Sequence, residues 1–368
     1  MGYFRKKITS SIDVVTFHDL VLLPGWSEVE PDFVDVSSKI TTNIPLTVPF
    51  VSSPMESVTE SKLAVALAQI GGVGMLHRNC SIEAQLKMAQ KVKATTVGND
   101  KHLNVTLDEK NRYRVGAAVG PKDVKRVSAL QDSVDVFVID VAHFHTRSCF
   151  DGTRQILKAT NVDVIVGNLG TYEATQDVLT QLEGVAGLRC GIGSGSTCTT
   201  SVQTRVSAPN VSAVAAAADA CRSLGVKIPI ISDGGVRNPG DAAIGLAAGA
   251  WVVMLGNVLA GTQESPTPIE TINGQSYKRH WGMGSQRARQ QRYALDRYSH
   301  PTKAVDEGIE GLVPMRGSVK EVIVEFIGAL QASCGYIGAR SIMEMWEKAR
   351  FGRVSGAGMQ ELYPHDLE

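Results

Sequence analysis

Short apolar runs rich in valine and isoleucine recur along the chain, with amphipathic stretches between them whose apolar residues fall at helical spacing. That alternation is the pattern of a parallel α/β fold. The runs predict eight strands, over 46–52, 72–76, 114–119, 134–139, 162–167, 187–192, 228–232 and 251–255. Helices are predicted over 61–69, 82–93, 123–130, 172–182, 211–224, 241–248 and 319–332. Eight strand-helix units fit a (β/α)8 barrel, usually about 250 residues before insertions. An open doubly wound sheet is the other reading. The barrel is favoured because nearly every strand ends in a polar or glycine cluster: Ser53-Pro54-Met55-Glu56, His77-Arg78-Asn79, Asp140, Gly167-Asn168, Asp233-Gly234-Gly235 and Gly256-Asn257. A barrel gathers all these ends on one face, where such folds place their active sites.

Two stretches interrupt the rhythm. Residues 95–112 form a polar connection without strong periodicity and read as a surface loop. Residues 262–320 lack a barrel unit and carry Gly282-Met283-Gly284-Ser285, a charged run over 286–292, then Asp296-Arg297-Tyr298. So long a loop in a compact domain is expected to be functional, and it reads as a mobile active-site flap following strand eight. Residues 1–368 are otherwise one catalytic barrel domain.

Composition narrows the partners. Lys plus Arg and Asp plus Glu number 37 each, so no global field favours nucleic acid or an anionic surface. No apolar run approaches the roughly 20 residues needed to span a bilayer, and residues 1–10 lack a signal-peptide core, which predicts a cytoplasmic protein. Six cysteines without zinc-like pairing fit reduced thiols. One of them stands apart. Cys198 lies in Gly191-Ile192-Gly193-Ser194-Gly195-Ser196-Thr197-Cys198-Thr199-Thr200, where glycines let backbone approach a ligand and hydroxyls surround the thiol. It is the nucleophile candidate.

These motifs, with Thr16-Phe17-His18-Asp19-Leu20, Ser52-Ser53-Pro54-Met55-Glu56, Arg114-Val115-Gly116-Ala117-Ala118-Val119-Gly120, Glu307-Gly308-Ile309-Glu310-Gly311 and Ser355-Gly356-Ala357-Gly358, stand in one order over nearly the whole length. In this the chain resembles the family of inosine 5'-monophosphate (IMP) dehydrogenase and guanosine 5'-monophosphate (GMP) reductase. The dehydrogenase usually carries a regulatory module of paired cystathionine-β-synthase repeats after its second barrel helix. Here only the short 95–112 connection stands there, so the resemblance implies a form without that module.

The resemblance implies oxidation of IMP to xanthosine 5'-monophosphate with NAD+, in guanine nucleotide synthesis. Cys198 would form the covalent adduct, and Arg297 with Tyr298, assisted by Thr200, would activate the hydrolytic water after the flap replaces the cofactor. A second pair, Arg292-Tyr293, precedes it, and the distance from Gly282-Met283-Gly284-Ser285 and the flanking Asp296 favour the later one. Substrate contacts are implied for Ser53, Met55, Ser196, Asp233, Gly235, Gly256, Asn257, His280, Met283, Gly284 and Glu307. Phosphate falls to Ser196, Gly235, Gly256 and Asn257, ribose to Asp233, and the N1 edge of the base to Glu307. The family usually has serine at Asn257, tyrosine at His280 and glycine at Phe144. Cofactor contacts are implied for Asp140, Gly167 and Asn168. A monovalent cation, commonly K+, is implied on carbonyls of Gly193, Gly195 and Cys198 with Glu361, Leu362 and Tyr363 of a neighbouring subunit, and hence a homotetramer. The alternatives are an NADPH-dependent GMP reductase, which lacks the flap Arg-Tyr pair, and a non-catalytic nucleotide-binding relative.

Overall fold

The computed structural model describes residues 3–98, 104–298 and 305–364. Residues 99–103 of the 95–112 connection and 299–304 of the flap region lie outside the described residues. Eight parallel strands form the central sheet: β1 (Phe50–Ser52), β2 (Gly74–Leu76), β3 (Val115–Val119), β4 (Val136–Ile139), β5 (Asp163–Leu169), β6 (Val185–Cys190), β7 (Ile230–Asp233) and β8 (Val252–Leu255). Each pairs in parallel with its sequence neighbour, β8 pairs with β1, and a parallel bridge between Val51 and Val73 closes the ring. The expected (β/α)8 barrel is what forms.

The apolar runs are continuous because both faces of each strand are buried. In β4, Val136 and Val138 point into the barrel with Ile165, Ile231 and Met254, while Phe137 and Ile139 join the layer beneath the helices. Ile40, Ile44 and Leu46 fill the end opposite the strand C-termini. Leu46, expected to open strand one, lies instead in Pro45–Leu46, which pairs antiparallel with Ser38–Lys39.

The outer ring is α1 (Ser61–Ala68), α2 (Ile82–Ala94), α3 (Val124–Leu130), α4 (Arg147–Ala159), α5 (Tyr172–Gln181), α6 (Asn210–Ser223), α7 (Pro239–Ala247) and α8 (Val319–Ile337). Helix α4 has no counterpart in the sequence reading. Its buried face, Cys149, Phe150, Gly152, Thr153 and Ile156, carries only three apolar side chains in a helix that is polar on average, so no apolar stretch marks it along the chain. Thr146 caps it, its hydroxyl accepting from the Cys149 N–H at 3.2 Å.

The described residues between α2 and β3 are organised by one ion-pair cluster. Lys93 Nζ, buried at the end of α2, donates to Asp108 at 2.9 Å and Asp135 at 2.6 Å, and Asp108 in turn accepts from the N–H groups of Lys110 and Arg112.

The 262–320 segment is better ordered than a bare loop. Ile269–Ile272, Gln275–Trp281 and Glu310–Pro314 form a three-stranded antiparallel sheet, from which the flap, described over residues 282–298 and 305–309, projects over the strand ends. Its short helix Gln286–Gln290 is tied to the barrel where Asn79 donates to the Ala288 carbonyl at 2.9 Å.

Candidate active site

Cys198 sits in the loop that leaves β6. The turn out of the strand uses Gly191 at φ 118°, where a Cβ would stand 2.3 Å from the Asp233 carbonyl oxygen, so only glycine fits. The loop folds back on itself, with the Cys198 N–H donating to the Gly195 carbonyl at 3.0 Å. It then enters the short helix Thr200–Thr204. The returning flap runs beside it: Thr199 N–H donates to the Glu307 carbonyl at 3.1 Å, and Ile309 N–H to the Thr197 carbonyl at 3.0 Å. This pairing brings three side chains into a chain of hydrogen bonds. The Cys198 thiol donates to Thr200 Oγ1 at 3.2 Å, and the Thr200 hydroxyl donates to Glu307 Oε2 at 2.6 Å. Glu307 is only 4 % exposed, so its carboxylate acts in a site from which water is largely excluded.

The other five cysteines are unsuited to nucleophilic work. Burial pushes the thiols of Cys80, Cys221 and Cys334 up to about 11, and raises Cys149 and Cys190 as well.

A row of charges lines the strand ends beneath the cleft. Asp140, fully buried after β4, is contacted by three arginines. Arg189 Nη1 donates to its Oδ1 at 2.7 Å, Arg297 Nη1 to its Oδ2, and Arg78 Nη2 to its backbone carbonyl at 2.9 Å. Burial alone would raise the Asp140 carboxyl, but Arg297, Arg189 and Arg78 outweigh it and hold the pKa below the usual range. Arg189 also reaches Asp233 Oδ2 at 2.9 Å, and Asn168 Nδ2 donates to the same oxygen at 2.8 Å. Burial likewise opposes the charge on Arg297, yet Asp140, Tyr298 and Asp233 together raise its pKa above the ordinary arginine value. Arg297 is therefore a fixed cation in this arrangement. Burial raises the Tyr298 phenol too, despite Arg297 beside it.

Above this row is a cleft of about 270 Å3. The Cys198 loop supplies one wall, including Gly193, Gly195, Ser196 and Thr200. The β1, β7 and β8 ends supply another, with Ser53, Met55, Asp233, Gly235, Gly256 and Asn257. His280, Met283, Arg297 and Tyr298 close it from the flap side, and Asn168 forms part of the floor. Gly284 and Glu307 stand behind Met283 and Tyr298. Gly284 is required there, since a Cβ would meet Tyr298 Cζ at 2.8 Å. Asp140 and Gly167 lie beneath the cleft wall: both are buried, and Gly167 packs so closely on Arg189 that a Cβ would stand 2.5 Å from its carbonyl oxygen. Arg292 and Tyr293 are exposed and outside the flap helix, with Arg292 in a left-handed turn.

His280 is 2 % exposed and its Nδ1 is 2.8 Å from the Ser57 hydroxyl. Burial lowers its pKa to about 4, so at neutral pH it is an uncharged donor and acceptor.

The C-terminal residues do not meet the Cys198 loop within one chain. Glu361 ends the helix Gly356–Glu361, and Leu362 and Tyr363 line a separate cavity of about 330 Å3 against Phe17, His18 and Asn238. In the loop itself the Gly193 carbonyl accepts from Ser201 Oγ at 3.1 Å, and that of Gly195 from Cys198 N–H.

Several site residues were not singled out from the sequence. Arg189 had a readable signal, a charge inside the apolar strand β6. Ser194 lines the cleft with a buried hydroxyl that has no partner among the described residues, but nothing in the loop's composition separates it from Ser196. Ser57 acts only through a contact with a distant segment, and the contact of Asp296 with Arg78 was likewise not readable from its position beside Arg297.

The whole arrangement sits inside a recognised domain. Residues 14–365 match the family model described as "IMP dehydrogenase / GMP reductase domain". The chain is similar to proteins named inosine-5'-monophosphate dehydrogenase: one from Korarchaeum cryptofilum, 38 % identical over 461 aligned positions covering 96 % of each chain. Another, from Cryptosporidium parvum, is 38 % identical over 388 positions, covering 96 % of this chain and 95 % of that protein. A third, from Borreliella burgdorferi, is 37 % identical over 404 positions and 98 % of each. The first alignment is longer than this entire chain, so that relative carries extra residues within the matched span. From its full-length match and its strand-end site, the chain belongs to the IMP dehydrogenase / GMP reductase family.

Proposed function

We propose that this chain oxidises IMP to xanthosine 5'-monophosphate with NAD+ and water, releasing NADH and a proton, in guanine nucleotide synthesis. The observation that carries the reading is the meeting of the Cys198–Thr200–Glu307 chain with a flap that delivers Arg297 and Tyr298 to the same cleft. A thiol that adds to the purine carbon must lose its proton, and Thr200 offers a path for it to the Glu307 carboxylate. That proton is released to solvent as the hydride leaves, and when water later breaks the sulfur–carbon bond the same relay accepts the water's proton and returns it to the departing thiolate. Arg297, held charged by Asp140, contributes position and positive charge rather than basicity. Tyr298, a protonated phenol at neutral pH, orders the water beside it.

The remaining contacts follow from partners already present. Asn168 and Arg189 occupy Asp233 Oδ2, leaving Oδ1 to accept from the ribose hydroxyls. Gly234 and Gly235, at φ 93° and 86°, present backbone N–H groups toward the phosphate with Ser194 and Ser196. Neutral His280 adds a hydrogen bond but no charge. Met283, Ser53, Met55, Gly256 and Asn257 shape the walls, with Gly284 behind them. For NAD+ the fit rests on Asn168, whose Oδ1 is buried without a partner among the described residues. NAD+, when bound, accepts the hydride that leaves the purine. Asp140 and Gly167 would support that end of the cleft from below. Flap and cofactor then share one place, so the flap closes after NADH leaves. A K+ ion on the carbonyls of Gly193, Gly195 and Cys198 would need Glu361, Leu362 and Tyr363 of a neighbouring subunit, as in a homotetramer. Among the described residues no helix is long and apolar enough to cross a membrane.

Incubation of the purified protein with IMP, NAD+ and K+, followed by NADH absorbance, tests the reading. NADH formation is expected. Absence of NADH together with NADPH oxidation on GMP would transfer the assignment to the reductase, and nucleotide binding without either reaction to a non-catalytic relative.

A further inference from the structure

The flap carries two adjacent charges into the site. Asp296 and Arg297 bear opposite signs and reach opposite partners on the barrel. Arg297 extends to Asp140, and Asp296 Oδ1 accepts from Arg78 Nη1 at 2.6 Å. Arg78, just past β2, is 2 % exposed, whereas the Asp296 side chain is half exposed. The guanidinium is shared between barrel and flap, with Nη2 on the Asp140 carbonyl and Nη1 on Asp296. Its Nε is buried, has no hydrogen-bond partner among the described residues, and lies 3.8 Å from Asp140 Oδ2, the oxygen that Arg297 occupies.

The charges balance with and without the flap pair. The barrel row of Arg78, Arg189, Asp140 and Asp233 is neutral, and Asp296 with Arg297 adds one charge of each sign. Inserting Arg297 alone would place a third guanidinium beside Asp140 with no added anion, at a site where burial makes an unbalanced charge costly. Room for the second contact is left at Gly120, beyond β3, where a Cβ would stand 2.6 Å from Asp296 Oδ2 and 3.1 Å from Arg78 Nη1.

We infer that Arg78 and Asp296 are positioning residues: they form the second arm of a crossed ion-pair latch that sets how often the flap delivers Arg297 to the hydrolytic site. With the flap withdrawn, Arg78 Nε turns to Asp140 Oδ2. Closure exchanges that contact for two, Asp296 on Arg78 and Arg297 on Asp140. The inference rests on the reading of the flap as the hydrolytic element.

Two measurements on the full-length protein test it. The first is hydrogen exchange of residues 286–298 without ligands, which needs no activity. Asp296→Asn, isosteric and half exposed, is expected to speed exchange there about tenfold, the worth of one charge-assisted hydrogen bond. Gly120→Ala, by displacing the Asp296 carboxylate, should act in the same direction. The second is rapid mixing with IMP and NAD+. Asp296→Asn and Arg78→Met should keep the NADH burst rate within about twofold of the parent while steady turnover falls about tenfold, and Arg78→Lys should recover part of that loss. The double variant should be no worse than the poorer single one. Unchanged flap exchange in Asp296→Asn, equal loss of burst and steady phases, or additive single effects would each overturn the latch. If the parent itself makes no NADH from IMP, the proposed reaction fails while the exchange experiment still decides the latch.

Discussion

His280 makes a quantitative prediction that needs no assumption about substrate. Its ring is buried against Ser57, and burial sets its pKa near 4 against an ordinary 6.5. The unfolded chain takes up a proton near 6.5 and the folded chain only near 4, so between these values the unfolded state binds more protons and stability falls with falling pH. The contribution is fully present above about pH 7. Integrating the two titrations, about 2 kcal/mol is lost by pH 5 and about 3 kcal/mol by pH 4. The assay is urea unfolding of the parent and of His280→Gln at steps from pH 7.5 to 4. Other titrating groups change both proteins alike, so the difference between their unfolding free energies isolates the imidazole. The parent should lose its margin over the variant steadily across that window. A difference that stays flat, or that moves in the parent's favour as pH falls, would refute the assignment of a buried neutral histidine.

The other predictions concern chemistry and one remote ion pair. Cys198→Ala should abolish turnover while retaining IMP binding by calorimetry, and normal turnover would end the covalent mechanism. Arg297→Ala should leave a rapid NADH burst followed by a slow steady state, because Arg297 serves hydrolysis; loss of both phases together would count against that role. Lys93→Met should destabilise the fold by about 3–5 kcal/mol at pH 7 in denaturant titration, since it strands the Asp135 carboxylate that it pairs at 2.6 Å. That loss should shrink at low pH, where Asp135 is protonated, and a pH-independent loss would argue for packing instead.

The barrel was legible because its strands are buried on both faces and therefore spell unbroken apolar runs, as in 136–139 and 251–255. Elements lacking that signature were not. The strand Ile269–Ile272 is largely exposed, so the flap's supporting sheet left no apolar pattern, and α4 is polar on average, so no apolar stretch marks it along the chain.

The sequence by itself determined the strand order, the positions of the polar strand ends, the one cysteine in a glycine-rich loop and the family resemblance. Those properties are local, or follow from residue type and spacing. Between Arg292-Tyr293 and Arg297-Tyr298, five positions apart, it favoured the later pair only by distance from Gly282-Met283-Gly284-Ser285 and the flanking Asp296. Tertiary structure separates them: Arg297 meets the buried carboxylate of Asp140, and Tyr298 fills the space that Gly284 leaves, while the earlier pair faces solvent. It also decided that Thr200 and Glu307 share a hydrogen bond, and that Arg78, Arg189, Asp140 and Asp233 form one charge row. These residues lie on different strands and loops, and only closure of the barrel brings their charges close enough, in surroundings dry enough, to govern one another.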